Sequence, residues 1–155
     1  MGDLIPIKTD TPPKAEGCAQ AAPPSVLVVD DSMINCLVLR HCLAPTHYTI
    51  DEAHTGAEAV AKVKAHRYDF IVMDLLMPEM DGFQAMREIR CWEDEHGTAP
   101  ACIIIALTAW ELKEAVLESL LCGADAHLIK PISQSRLLDI LDAHRKSALA
   151  QAPAV

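Results

Sequence analysis

Hydrophobic positions along the chain fall into two kinds of run that alternate. Short continuous apolar stretches lie at Ser25–Val29, Tyr68–Met73, Ala101–Ala106 and Ala126–Ile129, with a weaker one at Tyr48–Ala53. Continuous rather than every-other hydrophobicity suits strands of a parallel sheet covered on both faces. Longer segments separate them, near 32–44, 56–66, 81–94, 111–121 and 133–146, with the amphipathic spacing of helices. Ser133 stands where it can cap the last of these, and Gly123 where it can end the fourth. Five strands alternating with five helices predict a doubly wound α/β domain. Five-stranded sheets of this kind often have the order 2-1-3-4-5. The ligand site then lies where the order reverses, beyond the C-terminal ends of strands 1 and 3.

The pattern fades at both ends. Residues 1–24 hold five prolines, Pro6, Pro12, Pro13, Pro23 and Pro24, and no sustained periodicity. They read as a flexible N-terminal extension. Residues 147–155, ending Ala-Gln-Ala-Pro-Ala-Val, read as a flexible tail. Residues 25–146 between them are one domain of ordinary size. No apolar run approaches the ~20 residues that cross a bilayer. The N-terminus lacks a basic patch followed by an apolar stretch, so no secretory signal is read and a cytoplasmic location is expected.

Composition changes this picture little: 51% of residues are hydrophobic and 23% charged, as in soluble globular proteins. Charge changes it more. A net charge of −9 repels phosphate backbones, so direct nucleic-acid binding is not expected. The cysteines Cys18, Cys36, Cys42, Cys91, Cys102 and Cys122 form no CxxC pair and mostly sit in apolar runs. They read as reduced thiols in or near the core.

The candidate chemistry stands just past the strands. Strand 1 ends in Asp30-Asp31 and strand 3 in Asp74, strand 4 is followed by Leu107-Thr108-Ala109, and strand 5 ends in Lys130-Pro131. With neighbouring strands ~4.8 Å apart, Thr108 is one strand from Asp74 and Lys130 two. A short hydroxyl serves the near strand, and a long lysine arm spans the wider gap. Three carboxylates brought together repel, and one ammonium does not neutralise them. All-oxygen donors of this kind favour Mg²⁺. A carboxylate can also attack phosphorus and form an acyl phosphate. Mg²⁺, Lys130, the Thr108 hydroxyl and the Ala109 backbone N–H are then placed to share the charge of the phosphoryl oxygens. Taken singly these residues have plainer roles: an aspartate capping a helix, a Lys-Pro turn, a loop threonine. Their joint placement at the strand ends favours a site.

The motifs Val-Val-Asp30-Asp31, Val-Met-Asp74-Leu-Leu-Met77-Pro78-Glu-Met-Asp81-Gly82, Ala-Leu-Thr108-Ala109 and Gly123-Ala-Asp-Ala-His127-Leu-Ile-Lys130-Pro131 resemble the receiver domains of two-component response regulators. The resemblance runs from about Ser25 to Ala143. It implies the flavodoxin-like form of the fold and Asp74 as phosphoacceptor. It implies a histidine kinase or histidine phosphotransfer protein as donor, and Mg²⁺ held by Asp31, Asp74 and the Leu76 backbone carbonyl, with Asp30 acting largely through water. A cis peptide between Lys130 and Pro131 is implied too. So is a phosphoacceptor signalling domain, not an enzyme with a separate substrate, whose acyl phosphate is lost slowly.

Three positions depart from the commoner family pattern. Leu76, two after the phosphoacceptor, is apolar, and Trp110, two after Thr108, is a large aromatic. Both point to slow hydrolysis. His127 stands where the family usually has Tyr or Phe; it is large enough to follow the Thr108 switch and can gain charge near neutral pH.

Chain length leaves no room for an attached output domain, so a single-domain regulator is expected, signalling by contact with a downstream protein. One expected surface is the fourth helix, fifth strand and fifth helix, with Leu112, Val116, Leu137 and Ile140. The other is the first helix, apolar on more than one face, which suits a donor's helical bundle, a homodimer, or a plain apolar helix partly covered by the N-terminal extension. Either surface could build a homodimer. Rival readings fit less well. A haloacid dehalogenase-type phosphatase wants a second acid where Leu76 stands. A flavodoxin wants a hydroxyl- and glycine-rich phosphate loop where Asp30-Asp31 stands. A receiver-shaped adaptor that no longer cycles phosphate has no use for the complete acidic cluster.

Overall fold

Five strands, β1 (Ser25–Val29), β2 (Thr49–Ala53), β3 (Phe70–Asp74), β4 (Ile103–Thr108) and β5 (Ala126–Ile129), form one parallel sheet in the order β2-β1-β3-β4-β5. They alternate with α1 (Met33–Leu43), α2 (Gly56–Ala65), α3 (Gly82–His96), α4 (Lys113–Leu121) and α5 (Gln134–Gln151). The structure is a computed structural model and describes residues 22–98, 101–109 and 113–151. Most of the 1–24 segment, Cys18, Trp110 and Leu112 lie outside the described residues.

The continuous apolar strands follow from two cores, one on each face of the sheet. Leu27, Ile71, Met73 and Ile104 pack with Ala59, Val63, Ala85 and Ile89 of α2 and α3. Val26, Val28, Val72 and Ile105 pack on the opposite face with Leu39, Leu43, Leu137 and Leu141 of α1 and α5. Successive strand residues point to opposite faces, so both must be apolar when both faces are covered.

Local chemistry sets the helix ends. Ser32 caps α1 and Thr55 caps α2, each side chain accepting a backbone N–H three residues on. Asp81 caps α3 in the same way, and Gly97 ends it in the left-handed conformation at φ 59°. Gly123 closes α4 at φ 106°, a conformation costly for any residue with a Cβ.

The strand boundaries differ from the apolar runs. β4 begins at Ile103 rather than Ala101 and continues through Leu107 and Thr108, which pair with Asp74 and Ile129. Residues before it are taken by side chains: Glu93 accepts the Cys102 N–H at 2.8 Å and Arg90 donates to the Cys102 carbonyl at 2.8 Å. With those backbone groups used, no ladder forms there. The fifth helix runs to Gln151, past the expected end at 146. Arg90 also donates twice to the Gly123 carbonyl, at 2.9 and 2.8 Å, and to Asp125 at 2.7 Å. One side chain on α3 thereby fixes the turn that feeds β5, the strand carrying Lys130.

Candidate functional site

The site gathers at the C-terminal edge of the sheet. Asp30 follows β1 directly and is fully buried. Its carboxylate accepts from the Ser32 N–H at 2.9 Å, from Asn35 Nδ2 at 3.1 Å to each oxygen, and from Lys130 Nζ at 2.8 Å. Neither Asp30 nor Asp31 caps α1; Ser32 does. Asp31 is exposed at the rim. Asp74, the last residue of β3, is buried, and Lys130 Nζ lies 3.3 Å from its Oδ1. The Leu76 N–H donates to the same oxygen at 3.4 Å.

Asp30, Asp31 and Asp74 each place a carboxylate oxygen within 4.8 Å of the others. Thr108 ends β4 and is buried, Ala109 beyond it is exposed, and the Lys130 N–H donates to the Thr108 carbonyl at 2.8 Å. The Lys130–Pro131 peptide is cis. Lysine reaches farther than strand spacing alone suggested: it contacts Asp74 two strands away and Asp30 on the strand beyond.

The electrostatics follow from this crowding. Burial, then the Asp30 charge, push the Asp74 carboxyl above its ordinary value, and Lys130 only partly offsets them. Burial opposes the Lys130 charge, but the hydrogen bond to Asp30 and the charges of Asp74 and Asp30 outweigh it and raise the ammonium's pKa. Three carboxylates against one ammonium leave an excess of negative charge. An all-oxygen cluster of that charge suits Mg²⁺.

His127 lies in β5 opposite Ala106, its Nδ1 3.4 Å from the Ser119 hydroxyl of α4. Its Nε2 is buried without a hydrogen-bond partner among the described residues. Burial lowers its pKa, so the imidazole is pushed away from the charged form that the sequence allowed near neutral pH.

Two contributors escape a reading of the chain. Asn35 holds both Asp30 oxygens, and the placement becomes visible only once Ser32 fixes the start of α1. Gly82 begins α3 against the end of β3: a Cβ there would stand 2.2 Å from the Asp74 carbonyl oxygen. The Asp-Gly pair after Met77-Pro78 signals a turn, not this contact.

On the expected output surface, Leu137 is fully buried, and Val116 and Ile140 are partly buried. The exposed apolar groups of α4 are instead Leu117, Leu120 and Leu121. On α1, Met33, Ile34, Leu37 and Val38 are exposed. Cys36, Cys42, Cys102 and Cys122 are buried free thiols, whereas Cys91 is exposed. Among the described residues no helix is long and apolar enough to cross a membrane.

Comparison with known proteins agrees with the geometry. The family model described as the response regulator receiver domain matches residues 26–142. The chain is 34% identical over 131 residues to the transcriptional regulatory protein ZraR of Salmonella typhimurium, covering 83% of this chain and 28% of that protein. It thus spans about a quarter of the length of the curated relatives first matched. Among solved structures it is similar to the receiver domain of sensor histidine kinase PA1611 from Pseudomonas aeruginosa, described with a magnesium ion coordinated in the active site cleft. There the TM-score is 0.70 and identity 34%, covering 79% of this chain and 97% of that one. It is also similar to a chain in the co-crystal structure of the Saccharomyces cerevisiae histidine phosphotransfer signaling protein Ypd1 with the receiver domain of its downstream response regulator Ssk1. The TM-score is 0.70 and identity 31%, covering 74% of this chain and 83% of that one. A family match across nearly all of the folded region, on a sheet of the same order, places the chain in the response regulator receiver domain family.

Proposed function

We propose that the protein accepts a phosphoryl group on Asp74 from a histidine kinase or histidine phosphotransfer protein and passes the signal on by protein–protein contact. The observation that carries this reading is the convergence of Asp30, Asp31 and Asp74 around the Lys130 ammonium. Asp74 supplies the nucleophilic oxygen. Lys130 holds that carboxylate in place and offers positive charge to the incoming phosphoryl oxygens. Thr108 and the Ala109 N–H stand one strand away to bind those oxygens. Asp31, Asp74 and the Leu76 carbonyl are the residues that would hold Mg²⁺, with Asp30 contributing through water. Bound there, Mg²⁺ neutralises charge on the transferring group.

Output follows from a change in local charge and packing. Thr108 and His127 are the switch residues, and α4, β5 and α5 the surface that responds. The reading also takes the cytoplasm as the place where this signalling occurs. Incubation with Mg²⁺ and acetyl phosphate, followed by intact mass, tests the phosphoacceptor. A phosphate-sized gain that Asp74→Asn removes is expected; a gain that persists in the variant overturns the assignment.

A further inference from the structure

A helix packed on a sheet ordinarily turns an apolar stripe inward, as α1 does with Cys36, Leu39, Cys42 and Leu43. α4 does not. Of its nine residues only Ser119 is buried, and it is fully buried. Leu117 is 59%, Leu120 46% and Leu121 80% exposed. The group that α4 seats against the sheet is therefore a hydroxyl. Just past the helix the chain is anchored again, with Cys122 and Ala124 buried.

The bonds of that hydroxyl fix the state of His127. Ser119 Oγ donates to the Val116 carbonyl at 2.8 Å. A hydroxyl has one hydrogen to give. Toward His127 Nδ1, 3.4 Å away, Ser119 Oγ can only accept, so Nδ1 carries the proton. In the neutral imidazole Nε2 is then a bare acceptor, buried without a partner among the described residues. A proton on Nε2 would create a charged ring and a buried N–H with nothing to receive it. Neighbouring charges do not offset that cost. Lys113, Glu114 and Glu118 of α4 are exposed, and β4 faces the ring with Ala106. Beside β5, Asp125 is committed to Arg90, and Lys130 to Asp30 and Asp74. Burial is the one cause that moves His127 from its ordinary pKa.

We infer that Ser119 and His127 form a polar latch that holds α4 on the sheet with its leucines outward, and that acid opens the latch by placing a second proton on the imidazole. The charged ring must reach water. α4 is the neighbour that yields, because none of its own apolar side chains is fully buried. The Nδ1–Oγ contact is at the long end for such a bond, so little is lost when it breaks. Burial keeps the ring neutral to below the ordinary histidine value of about 6.5. The latch is thus closed at neutral pH and opens as the pH falls through the lowered value. A pH-dependent output rests on α4 belonging to the responding surface; the latch itself does not.

Amide hydrogen exchange and imidazole nitrogen NMR on the full chain test the latch. At about pH 7.5 the ring of His127 should be protonated on Nδ1 and bare on Nε2. The opposite tautomer overturns the proposal. On lowering the pH from about 7.5 to about 5, protection of the α4 amides 117–121 should fall several-fold while that of the α1 amides 39–43 holds. Equal protection of α4 at both pH values overturns it. His127→Gln keeps an N–H for Ser119 and gains no charge, so its α4 should stay protected throughout. Asp74 also takes up protons in acid, and this variant separates the two: a loss that persists in His127→Gln comes from another group and overturns the latch. Ser119→Ala removes the acceptor and should loosen α4 several-fold already at neutral pH; unaltered protection there overturns it too. None of these readouts uses phosphorylation, so a failed acetyl phosphate labelling overturns the phosphoacceptor reading alone.

Discussion

At the scale of single residues, the site is a charge problem that one lysine only partly offsets. Asp30 is fully buried, and its charge is tolerated because Lys130, Asn35 and the Ser32 N–H all meet it. Lys130→Met removes the only basic side chain shown in contact with the acidic cluster among the described residues. Breaking a buried pair of this kind costs about 3–5 kcal/mol. The loss should appear as a lowered urea midpoint in metal-free buffer, and added Mg²⁺ should recover part of it.

The charge of Asp74 is less well compensated. Its folded pKa is raised, so its stabilising contribution is full below the unfolded value and is lost as pH rises through the folded one. Asp74→Asn should therefore raise the urea midpoint at pH 7 without metal, and this advantage should disappear below about pH 3.9, the ordinary aspartate value. An Asn variant less stable than the parent at pH 7 would show that Lys130 outweighs burial and Asp30.

At the scale of elements, the site depends on how closely α3 approaches β3. The Gly82 N–H donates to the Leu75 carbonyl at 3.0 Å, and a Cβ at 82 would meet the Asp74 carbonyl oxygen at 2.2 Å and Leu75 Cα at 2.8 Å. Both contacts are backbone, which cannot swing aside. Gly82→Ala should cost about 1–3 kcal/mol by overpacking. Because the displaced backbone is that of Asp74, it should also weaken Mg²⁺ binding, read by titration. Stability loss with unaltered Mg²⁺ affinity would separate the helix contact from the site.

Across the whole molecule, folding energy and cation binding are linked through the acidic edge. A ligand that binds only the folded state stabilises it by about 2.7 kcal/mol at a hundredfold excess over Kd. Mg²⁺ should raise the thermal midpoint of the parent protein, and EDTA should reverse the gain. In Asp31→Asn the gain should shrink, because one of the three carboxylates that meet within 4.8 Å is gone. Equal Mg²⁺ stabilisation of both proteins would place the ion elsewhere.

The sequence by itself determined the fold class, because a sheet covered on both faces must make its strands apolar throughout, and these runs are short and regularly interrupted. It placed Asp30, Asp74, Thr108 and Lys130 at or just past the strand ends, and so they were legible as a group. The order β2-β1-β3-β4-β5 was legible only as the commonest arrangement for such a domain, since nothing in a strand's own residues names its neighbours. Tertiary structure alone decided the rest. Glu93 and Arg90 capture the backbone of Cys102 and so move the start of β4, a contact between residues nine and twelve apart that no local pattern records. Burial turned His127 away from charge, and it sent Leu137 inward while leaving Leu117, Leu120 and Leu121 outside. Helical spacing shows that a helix has an apolar face; which neighbours cover that face depends on groups distant in the chain, and only the packed molecule brings them together.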